Sequence, residues 1–243
     1  MTRSDKRKHD ELRPLTFTCD FARNADGSVM VELGNTKVLV TAMIEEKVPQ
    51  FLEGTNKGWL TAEYSLLPGS TKPRNQREVT KGRPSGRTSE IQRLIGRSLR
   101  AAFNLNAIGS RTIAIDADVI NADASTRVAS ICGGYVAVYR ALSKLKDKGV
   151  ISKIPLIEPV AAVSVGVIKG ELLLDLSYSE DFQAEVDCNV VMNKSGQIIE
   201  LQMTAEGKPF NQELINKLIQ LAQKGIKEII DKQLKFTELT LVH

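Results

Sequence analysis

The chain has 243 residues, of which 42% are hydrophobic and 26% are charged, and its formal net charge is +4. This length and composition fit one large globular domain or two closely packed halves, and they exclude a disordered or fibrous protein. The two histidines are His9 and His243, each near an end of the sequence, which excludes a histidine-dependent Ser or Cys nucleophile and a His-rich zinc site.

The first half is predicted to run from strands to helices. Residues 15–21 alternate apolar and polar side chains, the period of a half-buried strand, and Asp26-Gly27 and Gly34-Asn35 mark turns. The predicted elements are strands at 15–21, 29–33, 37–44 and 59–67, a basic surface loop at 72–89, a helix from near Thr88, a strand at 113–119, and a helix at 126–148 closed by Gly149. The joint to the second half is expected at 145–155.

The second half repeats this order with two hairpins and a helix. The hairpins pair residues 161–168 with 171–176 and residues 186–192 with 197–205, and Asn211 caps a long amphipathic helix. Because both halves run from antiparallel strands to a helix, the sequence predicts an α+β fold of two β-then-α halves. These halves, about 1–150 and 151–243, are expected to form a single domain through an internal duplication.

The cysteines and the apolar runs indicate a cellular location. Cys19, Cys132 and Cys188 are far apart and have apolar neighbours, which is typical of reduced thiols in a reducing compartment. Residues 1–8 are polar and basic, and the longest apolar run, 159–168, is about half of a membrane span. We therefore expect a cytoplasmic protein without a membrane segment. The basic arm at 3–13 is expected either to reach a neighbouring molecule or to be disordered.

Charge is segregated along the chain. Residues 70–100 contain nine basic and two acidic side chains, and residues 171–187 contain six acidic side chains and no basic one. The basic segment favours a polyanionic partner, and the acidic one favours a divalent cation. Two solvated charged faces are the alternative. Neither GxxxxGK[ST] nor GxGxxG occurs, which argues against a P-loop or dinucleotide enzyme.

Two predicted helix starts could bind an anion. In the first, Asp123-Ala124-Ser125-Thr126-Arg127, free backbone N–H groups, two hydroxyls and a guanidinium come together. The second, Ser85-Gly86-Arg87-Thr88, has the same kinds of group. An ordinary N-cap with a solvent-exposed arginine remains the alternative at both places.

A pair of carboxylates could bind a metal ion. Asp181 and Asp187 are six residues apart beside a predicted strand. Magnesium takes one or two protein carboxylates and completes its shell with water and substrate phosphate. Acidic surface residues that maintain solubility are the alternative.

Taken in order, these motifs resemble the ribonuclease PH family of bacterial phosphorolytic exoribonucleases over nearly the whole chain. The matching stretches are LRP at 12–14, ELGNTKV at 32–38, GWLTAEY at 58–64, SGRTSEIQRLI at 85–95, NADASTR at 121–127, and the segment from YSED at 178 to DCNVVM ending at 192. Each stretch is unspecific alone, whereas their joint order and spacing are highly specific.

The resemblance implies a function and a set of site residues. It implies removal of 3′-terminal nucleotides from tRNA precursors by inorganic phosphate, with release of nucleoside diphosphates, by a homohexamer built as a trimer of dimers. It places phosphate at Arg87, Ser125, Thr126 and Arg127, and it places catalysis and a Mg²⁺ or Mn²⁺ ion at Asp181 and Asp187. It also assigns RNA guidance to Arg74 and Arg77.

The chain departs from the family pattern at a few positions. Ala124 and Ser125 stand where the family usually has two glycines, Gly69 stands where arginine is frequent, and Cys188 stands where methionine is common. Two other functions remain open at this point. A non-catalytic RNA-binding ring subunit would explain the basic segment, and a purely structural oligomer would leave the charge segregation unexplained.

Overall fold

The computed structural model describes residues 3–237, which form nine strands and four α-helices. The first half contains β1 (Leu15–Cys19), β2 (Gly27–Leu33), β3 (Thr36–Glu45), β4 (Trp59–Leu66), α1 (Gly86–Ala102), β5 (Thr112–Asn121) and α2 (Thr126–Asp147). The second half contains β6 (Val160–Ile168), β7 (Glu171–Leu174), α3 (Tyr178–Asp181), β8 (Val186–Asn193), β9 (Ile198–Ala205) and α4 (Gln212–Thr237). Short 3-10 helices occupy Gln50–Leu52, Glu78–Lys81 and Leu105–Ile108.

The first sheet has the order β1-β2-β3-β5-β4. Its strands pair antiparallel except for β4 and β5, which run parallel. A parallel pair requires a crossover connection, and α1 lies in that connection between the two strands. The turns and the apolar alternation therefore produce the predicted meander of β1, β2 and β3. The crossover through α1 then allows β4 and β5 to pair in parallel.

The second sheet has the order β7-β6-β8-β9 and is antiparallel throughout. The helix α2 packs against β2 and β3 of the first sheet and also against β6 of the second. Gly133 and Gly27 permit this close packing, because a Cβ at Gly133 would lie 2.3 Å from Val31 and one at Gly27 would lie 2.0 Å from the Ala137 carbonyl. The main apolar core therefore contains residues of both sheets, and a smaller buried cluster lies in the second half at Ile168, Leu173, Leu176 and Ala184.

The predicted α+β class of two β-then-α halves is confirmed, and most element predictions are close to the observed bounds. Asn211 caps α4 as predicted, since its Oδ1 accepts a bond of 3.0 Å from the Leu214 N–H. The predicted surface loop at 72–89 was wrong in detail, because the segment includes the 3-10 helix Glu78–Lys81 and α1 begins at Gly86. The loop prediction relied on the lack of apolar residues, but Ser85 caps the helix early by accepting the Thr88 N–H.

The three thiols are free, with Cys132 and Cys188 buried and Cys19 partly buried. Within residues 3–237, no helix is both long enough and apolar enough to cross a membrane.

Candidate functional site

One cleft of about 230 Å³ lies between the two halves and brings six of the predicted site residues together. The first half supplies one wall through the starts of α1 and α2, and the second half supplies the other through α3 and β8. The predicted residues that line it are Arg87, Ser125, Thr126, Arg127, Asp181 and Asp187. Segments from 87 to 187 of the sequence therefore meet in a single cavity.

The turn that leads into α2 is held in an unusual backbone conformation. Ala124 has φ +57° and Ser125 has φ +54°, both in the left-handed region that non-glycine residues rarely adopt. Ser125 is the N-cap residue, but its side chain does not cap α2. Instead its hydroxyl lies 2.9 Å from that of Ser164 on β6. The first N–H groups of α2, which have no partner inside the helix, therefore remain available to an anion.

The hydroxyls at this turn each have a fixed neighbour. Thr126 Oγ1 lies 2.8 Å from the hydroxyl of buried Tyr64 on β4. Burial raises the pKa of Tyr64, although Thr126 opposes this shift, so the phenol keeps its proton at neutral pH. Ser164 Oγ accepts the Leu176 N–H at 3.1 Å, which leaves its own hydrogen for Ser125. Tyr64 and Ser164 thus fix the directions of the Thr126 and Ser125 hydroxyls in the wall of the cleft.

Arg127 is oriented by contacts to α1 and β9. Its Nη1 donates to Gln202 Oε1 at 2.8 Å, and it forms a longer ion pair of 3.4 Å with Glu90. Gln202 also donates to Glu90 at 2.7 Å. The guanidinium is only partly exposed and still lines the cleft, a placement that suits an anion in front of it.

The start of α1 differs from that of α2. Ser85 Oγ accepts the Thr88 N–H at 3.1 Å, and Thr88 Oγ1 donates to Glu78 at 2.7 Å. The ordinary N-cap interpretation therefore holds for Ser85. Arg87 in the first turn is exposed and reaches the cleft, so α1 contributes a side-chain charge to the site.

Asp181 ends α3 and Asp187 lies near the start of β8. Burial, together with the negative charge of Asp181, raises the pKa of Asp187 to about 6. Burial likewise raises the pKa of Asp181, with Arg87 and Arg127 opposing the shift. Asp187 Oδ1 is buried without a hydrogen-bond partner among the described residues. Its Oδ2 accepts a long bond of 3.3 Å from Asn189, so this carboxylate has an oxygen free for a ligand.

Two buried ion pairs support α3 from the N-terminal arm, residues 3–13. Arg3 is 2% exposed and donates to both Glu180 oxygens, at 2.8 and 2.7 Å. Arg13 binds both Asp175 oxygens at 3.0 and 2.6 Å and donates to the Asp123 carbonyl at 2.6 Å. The arm packs against its own chain in this way, and it connects the segment that carries Asp181 with the turn before α2.

The cleft has features that fit a divalent cation and a phosphate ion. Carboxylate oxygens are the ligands Mg²⁺ prefers, and one or two of them are sufficient when substrate phosphate completes the shell. The unpartnered Asp187 oxygen beside Asp181 meets that requirement. No group of three or more His, Cys, Asp or Glu side chains suited to a metal occurs among residues 3–237, so an ion here would need ligands from substrate or water.

The two predicted RNA-guiding arginines lie outside this cleft. Arg74 and Arg77 are both exposed in the segment between β4 and α1. Arg77 lines a neighbouring cleft of about 430 Å³, which shares Tyr64 with the first. Their exposure and position leave them free to contact a polyanion.

Several residues that complete the cleft were not predicted as site residues. These are Tyr64, Ser164, Tyr178 and Asn189 in the wall, with Glu90 and Gln202 behind Arg127. Ser164 carries a usable signal, since it is a hydroxyl within an otherwise apolar buried strand. No sequence signal identifies Gln202, because its hydrogen bond to Arg127 joins residues that are 75 positions apart.

Family models and known relatives match this chain over nearly its whole length. The model of the 3′ exoribonuclease family, domain 1, matches residues 11–143, and that of domain 2 matches residues 158–225. Ribonuclease PH of Bacillus subtilis is 54% identical over 232 residues, covering 95% of each chain. Ribonuclease PH of Syntrophomonas wolfei is 53% identical over 233 residues, covering 96% of this chain and 98% of the relative.

Solved structures share the fold at lower identity. Rice (Oryza sativa) Rrp46 superimposes with a TM-score of 0.77 at 20% identity, covering 95% of this chain and 98% of that one. A chain of the Archaeoglobus fulgidus exosome, solved with RNA bound to the active site, gives a TM-score of 0.79 at 19% identity, covering 95% and 92%.

Proposed function

The chain belongs to the 3′ exoribonuclease family, and on that basis we propose that it is a phosphorolytic 3′→5′ exoribonuclease that trims the 3′ ends of tRNA precursors. Inorganic phosphate is its co-substrate and nucleoside diphosphates are its products. One observation carries the proposal: an uncapped helix start, two arginines and two carboxyl groups line a single cleft.

Phosphate binding is assigned to the wall that the first half supplies. The hydroxyls of Ser125 and Thr126 and the free N–H groups at the start of α2 donate to the phosphate oxygens. Arg127, held by Gln202, and the exposed Arg87 neutralise its charge. Because phosphate is already anionic at neutral pH, it needs positioning and charge neutralisation more than a base, which accounts for a site without histidine.

The reaction exchanges one phosphorus–oxygen bond for another. A phosphate oxygen attacks the phosphorus of the terminal phosphodiester, and the bond from that phosphorus to the 3′ oxygen of the preceding nucleotide breaks. The 3′ oxygen takes a proton from a carboxyl group of the Asp181 and Asp187 pair. The products are a nucleoside diphosphate and an RNA shortened by one nucleotide. A phosphoanhydride replaces a phosphodiester, so excess diphosphate extends the RNA in the reverse reaction.

Asp181 and Asp187 are also the residues proposed to hold Mg²⁺ or Mn²⁺. The chemistry that such an ion supplies is neutralisation of negative charge on the leaving 3′ oxygen. The buried, unpartnered oxygen of Asp187 supports this assignment.

Arg74 and Arg77 are proposed to guide the RNA strand through its phosphates. For single strands the salt slope of log K is about −0.7 for each neutralised phosphate, so Arg74→Gln with Arg77→Gln flattens the slope by about 1.4 if each contacts one phosphate. The control is Arg23→Gln, which removes an exposed arginine between β1 and β2. An unchanged slope in the double variant would remove both residues from the RNA path.

A homohexamer built as a trimer of dimers and a cytoplasmic location belong to the same proposal. The free thiols support a reducing compartment, and solved chains with this fold come from exosomes. Sedimentation equilibrium tests the assembly, and a mass below six chains of 26.7 kDa would contradict it.

The test of function uses a tRNA with a short labelled 3′ extension, incubated with magnesium in the presence and absence of phosphate. We expect labelled diphosphates only when phosphate is present, and none with Asp181→Asn. Glu185→Gln is the matched control, because it removes an exposed acid of the same segment that does not line the cleft. Monophosphates released without phosphate would indicate a hydrolase. Binding without release would indicate a non-catalytic RNA-binding subunit.

A further inference from the structure

A second cleft of about 470 Å³ adjoins the phosphate and carboxylate cleft. The two cavities share Thr71, Ala122 and Tyr178 in their walls. The volume of the second cleft is within the range of about 300–1,000 Å³ typical of small-molecule sites. A ligand with one end in the first cleft can therefore extend past Tyr178 into the second.

Tyr178 lies at the border of the two clefts, and the residue is 62% exposed. It is the first residue of α3, three residues before Asp181. Its backbone N–H donates to Asp123 Oδ1 at 3.3 Å, and Asn35 donates to the other Asp123 oxygen at 3.0 Å. The backbone of Tyr178 is thus tied to the turn before α2, while its ring is left open to solvent.

The remaining wall of the second cleft has the polarity of a nucleotide site. It carries Lys72 and Lys37, of which Lys37 also pairs with Glu32. It also carries the side-chain amides of Asn35 and Asn121, each of which makes one donation within the protein. The carboxylate of Asp123 already accepts two hydrogen bonds, so its charge is partly satisfied within the protein. Cationic and amide groups around an exposed aromatic ring suit a base, a ribose and a phosphate together.

We propose that this second cleft binds the nucleoside of the 3′-terminal nucleotide and that its base stacks on Tyr178. This inference rests on the proposed function. The released product is a nucleoside diphosphate, whose terminal phosphate comes from the first cleft, and Tyr178 borders that cleft directly. Stacking is tolerant of base identity because every base has a π face, which suits an enzyme that must remove whichever nucleotide ends the chain.

The test measures equilibrium binding of ADP and of inorganic phosphate by titration calorimetry, without turnover. Tyr178→Ala should weaken ADP binding by at least about 5-fold, the lower end for loss of one stacked base. Tyr178→Phe keeps the ring and should stay within about 2-fold of the parent. Phosphate affinity should be unchanged in both variants, which separates a stacking role from a structural one. Tyr178→Trp should add a fluorescence signal that ADP quenches, measured against the Trp59 background of the parent chain.

Each other outcome overturns the inference. Equal ADP affinity in Tyr178→Ala, or a parallel loss of phosphate affinity, would contradict stacking. Weaker binding of an RNA ending in a 3′ hydroxyl, with ADP unaffected, would place the retained strand there instead. Failure of the proposed function is distinguishable, because ADP binding needs no catalysis. Phosphate-dependent release with ADP affinity unaffected by Tyr178→Ala would reject this inference alone.

Discussion

Arg127 at the start of α2 and Gln202 on β9 are joined by a hydrogen bond of 2.8 Å between Nη1 and Oε1. Glu90 on α1 completes a triangle, since it accepts from Gln202 at 2.7 Å and pairs with Arg127 at 3.4 Å. Elements of both halves thus orient one guanidinium. An arginine held in this way loses less side-chain freedom when it binds an anion, which strengthens binding without a new contact.

Gln202→Leu should therefore weaken phosphate binding while leaving the fold intact. We expect the KM for phosphate to rise about 10-fold, by analogy with the lower end of the effect of losing a residue that orients a metal ligand, with a smaller change in kcat. Steady-state phosphorolysis at varied phosphate measures it. Glu200→Gln is the control, because it breaks the α1–β9 ion pair with Arg97 without touching Arg127. An equal rise in KM in that variant would assign the effect to the packing of α1 on β9.

Loss of one partner from the buried pair of Arg3 and Glu180 should strongly destabilise the fold. The Arg3 side chain is fully buried and that of Glu180 is 5% exposed. Without Arg3, the buried Glu180 carboxylate keeps only the Ser177 N–H at 2.9 Å and a longer ion pair of 3.7 Å with Arg7. Arg3→Met should therefore lower the free energy of unfolding by about 3 kcal/mol, the lower end for breaking a buried pair. Urea unfolding at neutral pH measures the change. Lys224→Gln removes a half-exposed partner of Asp10 and should cost much less, because exposed ion pairs are screened by solvent. A similar loss in both variants would contradict the contribution of burial.

The same pair predicts a dependence of stability on acid pH. Burial alone would raise the pKa of Glu180, but the hydrogen bonds from Arg3 and Ser177 lower it below the usual 4.5. A carboxyl with a lowered folded-state pKa stabilises the fold above its unfolded pKa, and that contribution is lost as pH falls through the folded value. The stability gap between the parent and Glu180→Gln should therefore narrow from about pH 7 to about pH 3. A constant gap would contradict the ion pair as its source.

Local sequence patterns predicted the strands, the three long helices and the six residues of the main cleft, but not α3 or the 3-10 helices. Long-range contacts were beyond their reach. Asp181 and Asp187 are only six residues apart, on either side of the start of β8, so their spacing in the sequence was enough to predict that they lie close together. The contact of Tyr64 with Thr126 joins residues 62 apart, and only the parallel pairing of β4 with β5 places that phenol behind α2. The expectation that the basic arm at 3–13 reaches a neighbouring molecule or is disordered was wrong, because Arg3 is buried against its own chain. Its burial depends on Glu180 and on two backbone carbonyls that are distant in sequence.

Asp187→Asn should make the metal-free protein more stable while abolishing phosphorolysis. Burial and Asp181 raise the pKa of Asp187 to about 6, above its usual 3.8. The folded state therefore binds this proton more tightly, and stability falls as pH rises through that interval. Removing the charge should recover about 1–3 kcal/mol at neutral pH. Urea unfolding with chelator present measures it, and the gain should vanish near pH 4.

Asp118→Asn is the matched control for this variant. Burial and Asp116 raise the pKa of Asp118 as well, and it lies on β5 outside the cleft. It should also gain stability at neutral pH, yet retain phosphorolysis. Loss of stability in Asp187→Asn would show that both carboxylate oxygens have partners in the folded chain. That result would contradict the unpartnered Asp187 oxygen that supports metal binding.

Ala124→Gly should preserve activity and leave stability equal or higher by up to about 1.6 kcal/mol. Ala124 has φ +57°, where a Cβ costs about 1–2 kcal/mol. The greater freedom of glycine in the unfolded chain offsets about 0.4–1 kcal/mol of the strain that is relieved. Thermal unfolding and the KM for phosphate together test this. Ala101→Gly, at an exposed position of α1, is the control and should lose up to about 1 kcal/mol.

Ala124→Val tests the same turn from the other side. A β-branched residue tolerates the left-handed region worse than alanine does, so this variant should lose stability and also raise the KM for phosphate, because the start of α2 shifts. If Ala124→Gly were as destabilising as Ala101→Gly, the left-handed turn would not be strained in the folded protein. If Ala124→Val kept its phosphate affinity, the turn would not be what presents the N–H groups of α2 to the anion.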